Sequence, residues 1–251
     1  MISESEFVEY LDDLLSIDEI KDESENGVQL DSPTKIEKIA FAVDVRKDIV
    51  KKSVEEDVDL LFVHHGLIWN KGLSSLTGIN YEIVENMIKN DIALYCAHLP
   101  LDVHPEVGNN VELARKINAE IGEAFMDYKD TEIARMALLE KEKKVYEIAD
   151  ELEKELDTET FILKGEKRVK KIGILTGKGG QALTSAKKNG AELFITGERT
   201  YVTYNEAIGL DMPLIFAGHY ATETLGVKNI KDIAENKFGY ETCFLPGKTT
   251  I

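Results

Sequence analysis

The chain has 251 residues, 43% apolar and 31% charged, which excludes disordered, collagen-like and coiled-coil chains and suffices for one large domain or two modest ones. Asp and Glu outnumber Lys and Arg by 47 to 30, a formal charge of −17, so a phosphate backbone is repelled except at a local basic or metal-bearing patch. Cys96 and Cys243 stand singly in apolar runs, which excludes a disulfide framework and a Cys-based zinc site; with an acidic N-terminus and no apolar run approaching the roughly 20 residues of a membrane span, the expected location is cytoplasmic.

In chain order, Phe7, Tyr10, Leu11, Leu14 and Leu15 recur at helical spacing behind Ser5, predicting an amphipathic helix over 5–16. A turn-rich stretch follows, marked by Glu25-Asn26-Gly27 and Asp31-Ser32-Pro33. Strands are then expected at 39–45, 60–63 and 92–97, followed by helices at 47–56, 81–89 and 110–121 respectively. The second half, from near Asp127, reads as strand 132–139, helix 143–156, strand 160–163, strand 171–176, helix 181–189, strand 193–196, helix 202–210, strand 213–217, helix 221–236 and a last strand at 240–245. This alternation implies an α/β fold of two intimately packed lobes with mostly parallel sheets. The lobes are expected at 1–126 and 127–251, with the last helix and strand able to pack on the first.

Ligands of open α/β sheets bind beyond the carboxyl ends of strands, and four of the five histidines lie there. His64 and His65 follow Leu61-Phe62-Val63, His98 follows Tyr95-Cys96-Ala97, and His219 follows Phe216-Ala217-Gly218. His104 is the exception, in a nearby loop. His219 and Glu223, at i and i+4 of a helix start, form a local chelate. Asp102 is carried inward by a loop whose Pro100 and Pro105 discourage helix. His64 and His65 point to opposite faces of a regular strand, so they serve one site only where the chain leaves the sheet, as Gly66 permits. Three imidazoles and two carboxylates without thiolate suit two ions of Zn, Fe, Mn, Co or Ni, leaving open positions where water and an oxyanion bind.

At these residues the sequence resembles a known family. Val63-His64-His65-Gly66, Ala97-His98-x-x-x-Asp102 and Gly218-His219-x-x-x-Glu223 are similar to the signatures of the Nif-three-like dinuclear-metal family, often labelled GTP cyclohydrolase I type-2 homologues, over essentially the whole chain. The resemblance implies a two-lobed α/β fold, a dinuclear divalent-metal site and a ring-shaped homohexamer whose sites face an internal cavity. It implies His64 and His219 on one ion, His65 and Asp102 on the other, Glu223 bridging, and His98 behind the ligands. Gly66 stands where the commoner family version has Pro, and Leu99-Pro100 where it has Thr-Asn. The chain is similar to the short form of the family, without the extra domain that longer members insert between the lobes.

Other motifs compete. Gly177-Lys178-Gly179-Gly180-Gln181-Ala182, with Glu198 downstream, fits a dinucleotide fingerprint or a plain glycine-rich βα turn. Gly247-Lys248-Thr249-Thr250 resembles the end of a P-loop but has Thr242 where Gly is needed. Glu198 reads as a general base, a support behind a ligand or a helix cap, and Arg199 as an anion clamp or part of that cap. Trp69 and Tyr220 read as base-stacking or packing rings, and the basic run over 164–171 as a solvated turn.

The expected function is a metal-dependent hydrolase of a small anionic or nucleotide-like substrate, with Glu198 or His98 moving protons; opening of the imidazole ring of GTP is what the resemblance implies. The contrasting reading is a non-enzymatic, ring-shaped binding protein for DNA or a protein partner, with structural metals.

Overall fold

The computed structural model describes residues 1–2, 5–70, 72 and 75–249. Packing divides the chain into Met1–Leu101 with Gly226–Gly247, and Asp102–Leu225 with Lys248–Ile251. The cuts therefore fall after Leu101 and Leu225 and not near Asp127, a point that lies inside a continuous strand (Ala119–Tyr128).

The first unit opens with α1 (Glu6–Leu15), whose N-cap Ser5 accepts a hydrogen bond from the Val8 amide and whose Phe7, Leu11 and Leu15 are buried. Its sheet is built on β2 (Lys38–Asp44), β3 (Leu60–His65) and β4 (Ala93–Cys96), all parallel and linked by α2 (Lys47–Glu55) and α3 (Ile79–Lys89). β1 (Gly27–Leu30) adds antiparallel to β4, and β11 (Glu241–Phe244), the last strand, adds parallel to β2. Register aligns Phe41, Phe62 and Tyr95 across three strands, with ring centroids 5.4 and 5.5 Å apart. The alternate residues Ala40, Leu61 and Leu94 turn to the other face, against Ile49, Val50, Ile83 and Met87 of the helices. Both faces are covered, which is why these strands read as unbroken apolar runs.

The second unit holds a sheet ordered β5-β6-β8-β9-β10-β7. β5 (Ala119–Tyr128) and β6 (Thr131–Lys144) form an antiparallel hairpin, and β8 (Arg168–Leu175) pairs antiparallel with β6. β9 (Leu193–Thr196) and β10 (Leu214–Phe216) then continue parallel to β8, and β7 (Phe161–Leu163) closes the far edge antiparallel to β10. α5 (Asn109–Lys116) and α6 (Val145–Leu156) give Leu113, Ile148 and Leu152 to one core with Ile172, Ile174 and Ile195 of the sheet. α7 (Leu183–Lys188) and α8 (Tyr201–Gly209) connect the parallel strands.

Several expectations fail locally. The helix expected over 110–121 stops at Lys116; Asn118 turns left-handed at φ 56° and β5 begins at Ala119. β5 is an edge strand with an exposed face, so its polar residues mimic a helical pattern. The segment around Pro100, expected as a loop, is the short helix α4 (Leu99–Val103), because a proline in a first helical turn forfeits no intrahelical hydrogen bond. β1 sits within the turn-rich stretch, where four residues carry too little pattern to be seen. The long C-terminal helix, α9 (His219–Ile233), starts earlier than expected and ends in a π turn (Ala234–Phe238) before Gly239 at φ 75°. The first sheet is mostly parallel as expected, whereas the second is mixed, with its antiparallel pairs contributed by β5, β6 and β7. Thr250, in the discarded P-loop-like motif, and Ile251 lie outside the described residues. No helix among the described residues is long and apolar enough to cross a membrane.

Gly173 of β8 lets α7 approach the sheet: a Cβ there would lie 2.8 Å from Ala186 Cβ and 3.3 Å from the Phe194 ring. Gly173→Ala is expected to destabilise the protein by about 1–3 kcal/mol in urea unfolding, the usual cost of overpacking; an unchanged unfolding curve would contradict this seating of α7.

Candidate metal centre

In the first unit, β3 ends on His64 and His65, and β4 leads through Ala97 to His98. Their rings gather closely, with centroids 4.7 Å apart for His64 and His65, 5.1 Å for His64 and His98, and 5.6 Å for His65 and His98. One donor atom from each lies within 4.8 Å of the others. Each ring is braced from behind. His64 Nδ1 donates to the Ala97 carbonyl at 2.8 Å, and His65 Nδ1 to Asp44 Oδ1 at 2.8 Å. His98 Nδ1 faces both oxygens of Asp22 at 3.0 Å. A carbonyl or carboxylate oxygen only accepts, so Nδ1 carries the proton in all three and Nε2 carries the lone pair. Such bracing is the usual arrangement behind metal-ligating histidine.

Asp22 is anchored with unusual care. Its carboxylate also accepts from the Asn26 amide at 3.1 Å and the Leu99 N–H at 2.9 Å. Burial pushes its carboxyl up, yet the His98 imidazole and these donors outweigh burial and hold it well below the usual carboxylate range. Trp69 closes one side of the cluster, its ring edge-on to His98 at 5.0 Å and its Nε1 donating to the Gly66 carbonyl at 2.9 Å. Gly66 leaves room for the Gln29 amide, which a Cβ there would displace and whose oxygen accepts from the Leu67 and Ile68 N–H groups at 2.7 and 3.1 Å. Cys96 lies behind His64, and burial pushes its thiol up to about 12, so it is no thiolate ligand.

In the second unit, three strand ends converge on the first turn of α9. His219 Nδ1 donates to Glu198 Oε2 at 2.8 Å, just beyond β9, while its Nε2 lies 3.1 Å from Glu223 Oε1. Burial disfavours the imidazolium, but Glu223 and then Glu198 favour it more strongly and raise its pKa to about 9. The Nε2 to carboxylate contact is thus a place where either a proton or a cation sits between two electron-rich atoms. Glycine makes the convergence possible. A Cβ on Gly177 would collide with the Glu223 carboxylate, and one on Gly197 would lie 2.6 Å from Thr222 Oγ1. Gly177 has φ +58° and its carbonyl accepts from the Gly197 and Glu198 N–H groups at 3.1 and 2.8 Å. The glycine-rich turn that fits a dinucleotide fingerprint is therefore used to house a carboxylate.

Asp102, at the head of the second unit, is buried; its Oδ1 accepts from Asn109 at 2.8 Å, with Thr176 Oγ1 at 3.4 Å. Asn110, also buried, donates to the Asp102 and Ile133 carbonyls and accepts from the Thr176 N–H. His104 has the opposite tautomer. Its Nδ1 accepts from the Glu106 and Val107 N–H groups at 3.2 and 3.1 Å, so it serves as a turn cap. The basic run is tied to an acid, Lys164 and Lys167 to Asp211. The sequence reading missed Asp22 and Asp44. Asp44 was open to the strand-end rule, since it is the last residue of β2; Asp22 lies in an irregular segment with no pattern to mark it. As a donor set, imidazole Nε2 atoms with carboxylates and no thiolate fit a divalent transition metal.

Comparison with known proteins places the chain in a family. The family model for Duf34/NIF3 (NGG1p interacting factor 3) matches residues 2–250. A protein of Archaeoglobus fulgidus named GTP cyclohydrolase 1 type 2 homolog is 40% identical over 247 residues, 98% of this chain and 99% of that one. A Pyrococcus abyssi protein of the same name is 39% identical over 249 residues, 98% of each chain. Among solved structures, a Thermus thermophilus protein aligns at 33% identity with a TM-score of 0.84, covering 98% of both chains. The chain belongs to the Duf34/NIF3 family.

Proposed function

We propose that the chain is a metal-dependent hydrolase that holds two divalent ions through His64, His65, Asp102, His219 and Glu223 and acts on a nucleotide-like or other anionic substrate. The observation that carries this reading is the fixed tautomer of the strand-end histidines, each presenting Nε2 because Nδ1 is spent on an oxygen behind it. His104, which lacks that bracing, stays outside the set. The name shared by the Archaeoglobus and Pyrococcus relatives supports a nucleotide-like substrate.

When bound, a pair of divalent ions supplies water activation and counter-charge for a developing oxyanion. The chain's own residues do the rest. Asp44, the Ala97 carbonyl and Glu198 orient the ligand rings. Glu198 is committed to His219 Nδ1 and so acts as a positioning residue. His98 is the proton carrier: its Nε2 takes a proton, and Asp22, already held as a carboxylate, stabilises the resulting imidazolium. Six copies of the chain assemble as a homohexamer.

Elemental analysis of the purified chain is expected to give about two divalent ions, the number a clamp on both sides of an oxyanion needs. Glu223→Ala is expected to lose both ions, and His104→Ala neither; two ions retained by Glu223→Ala would sink the bridging role. Screened against nucleotides, phosphoesters and amides, the metallated protein is expected to turn over at least one class, and His98→Ala to keep its metal while losing about 10²–10⁴ in rate. A fully metallated protein inert to every class overturns the hydrolase reading. Light scattering is expected to give about six times the chain mass of 28.1 kDa, as a hexamer does, and a monomer would contradict the assembly.

A further inference from the structure

The second unit carries a cleft of about 840 Å³ beside the turn that leads to His219, within the usual size range of small-molecule sites. Phe161 of β7, Phe216 of β10 and Tyr204 of α8 supply its aromatic walls, and Arg199, between β9 and α8, supplies a cation. The rings are packed together, Phe161 edge-on to Tyr204 at 5.7 Å and 6.3 Å from Phe216. The Arg199 guanidinium carbon lies 3.8 Å from the Phe161 centroid. A planar guanidinium laid on a ring loses mobility but keeps its N–H edges for an acceptor.

Two hydroxyls beside it are already committed. Thr160 Oγ1 donates to Glu153 at 2.9 Å, and Thr200 Oγ1 caps α8 through the Thr203 N–H at 3.1 Å. Arg199 makes no ion pair among the described residues, in a chain where acids outnumber bases by 47 to 30. A cation kept from so many carboxylates and fixed on an aromatic wall suits an anion that brings its own ring. Glu159, exposed in the same lining, repels additional negative charge and so favours a monoanion over a dianion.

We propose that this cleft binds an aromatic oxyanion, with the charged group on Arg199 and the ring against Tyr204 and Phe216. The inference goes beyond the hydrolase reading and stands without it, since no lining residue is a proposed metal ligand. Benzenesulfonate is the probe, because a sulfonate pairs with guanidinium but coordinates metal poorly. Titrated into the full purified chain, it is expected to bind at millimolar concentration or tighter and to shift the amide NMR signals of Thr200 and Tyr204. Sulfate and phenol, each half of the probe, are expected to bind at least tenfold more weakly. Arg199→Gln is expected to weaken benzenesulfonate at least tenfold, and Glu159→Gln to strengthen it. Arg199 is exposed, so its loss leaves the fold intact, which the unchanged remainder of the spectrum checks. Absence of binding, equal binding by Arg199→Gln, or shifts confined to residues outside the cleft would overturn the proposal, whatever the metal content.

Discussion

A histidine ligates a cation only through a nitrogen that carries a lone pair, and in this chain an oxygen behind the ring decides which nitrogen that is. At the end of β3 the Ala97 carbonyl and Asp44 take the Nδ1 protons of His64 and His65; beyond β9, Glu198 takes that of His219. Each brace is a strand-end group, so sheet register sets ring orientation. Asp44 lies opposite His65 in the β2–β3 ladder, and Val63 opposite Cys96 in the β3–β4 ladder, which brings Ala97 to His64. The apolar ladder of Phe41, Phe62 and Tyr95 thus does more than fill a core: it fixes the register from which His64 and His65 project.

The second unit reaches the same end by close backbone approach. Glu223 is buried against Gly177, and Gly197 gives room to Thr222, whose hydroxyl accepts from the Gly177 N–H at 3.0 Å. A carboxylate buried this way needs a compensating positive charge, because an unpaired anion in a low-dielectric interior is costly. Protonated His219 provides it without metal, consistent with its raised pKa. A divalent ion would provide it more strongly, displacing that proton.

Much of this was legible from residue order. The βα rhythm located the parallel strands, and the strand-end rule found His64, His65, His98 and His219 because apolar runs end abruptly on them. What escaped depended on tertiary pairing. The first residues of β5, 119–121, read as the end of a helix because its half-exposed strand carries no clean alternation, and α4 was hidden by Pro100, whose harmlessness depends on its place in the first turn. Asp22 is invisible in sequence because its importance lies in meeting His98 across 76 positions. The glycine-rich turn after β8 left two readings open for a related reason: glycine marks close approach without saying what approaches, and here it is a carboxylate instead of a phosphate.

The claim beneath the functional reading is that Nε2 of the braced histidines is where metal binds. Crystals of the metal-loaded protein, measured at the absorption edge of the bound element, test it most directly. Anomalous density is expected at coordination distance, roughly 2.0–2.3 Å, from Nε2 of His64, His65 and His219, with none at His104. Density bound through Nδ1, density at His104, or none beside the braced rings would contradict it.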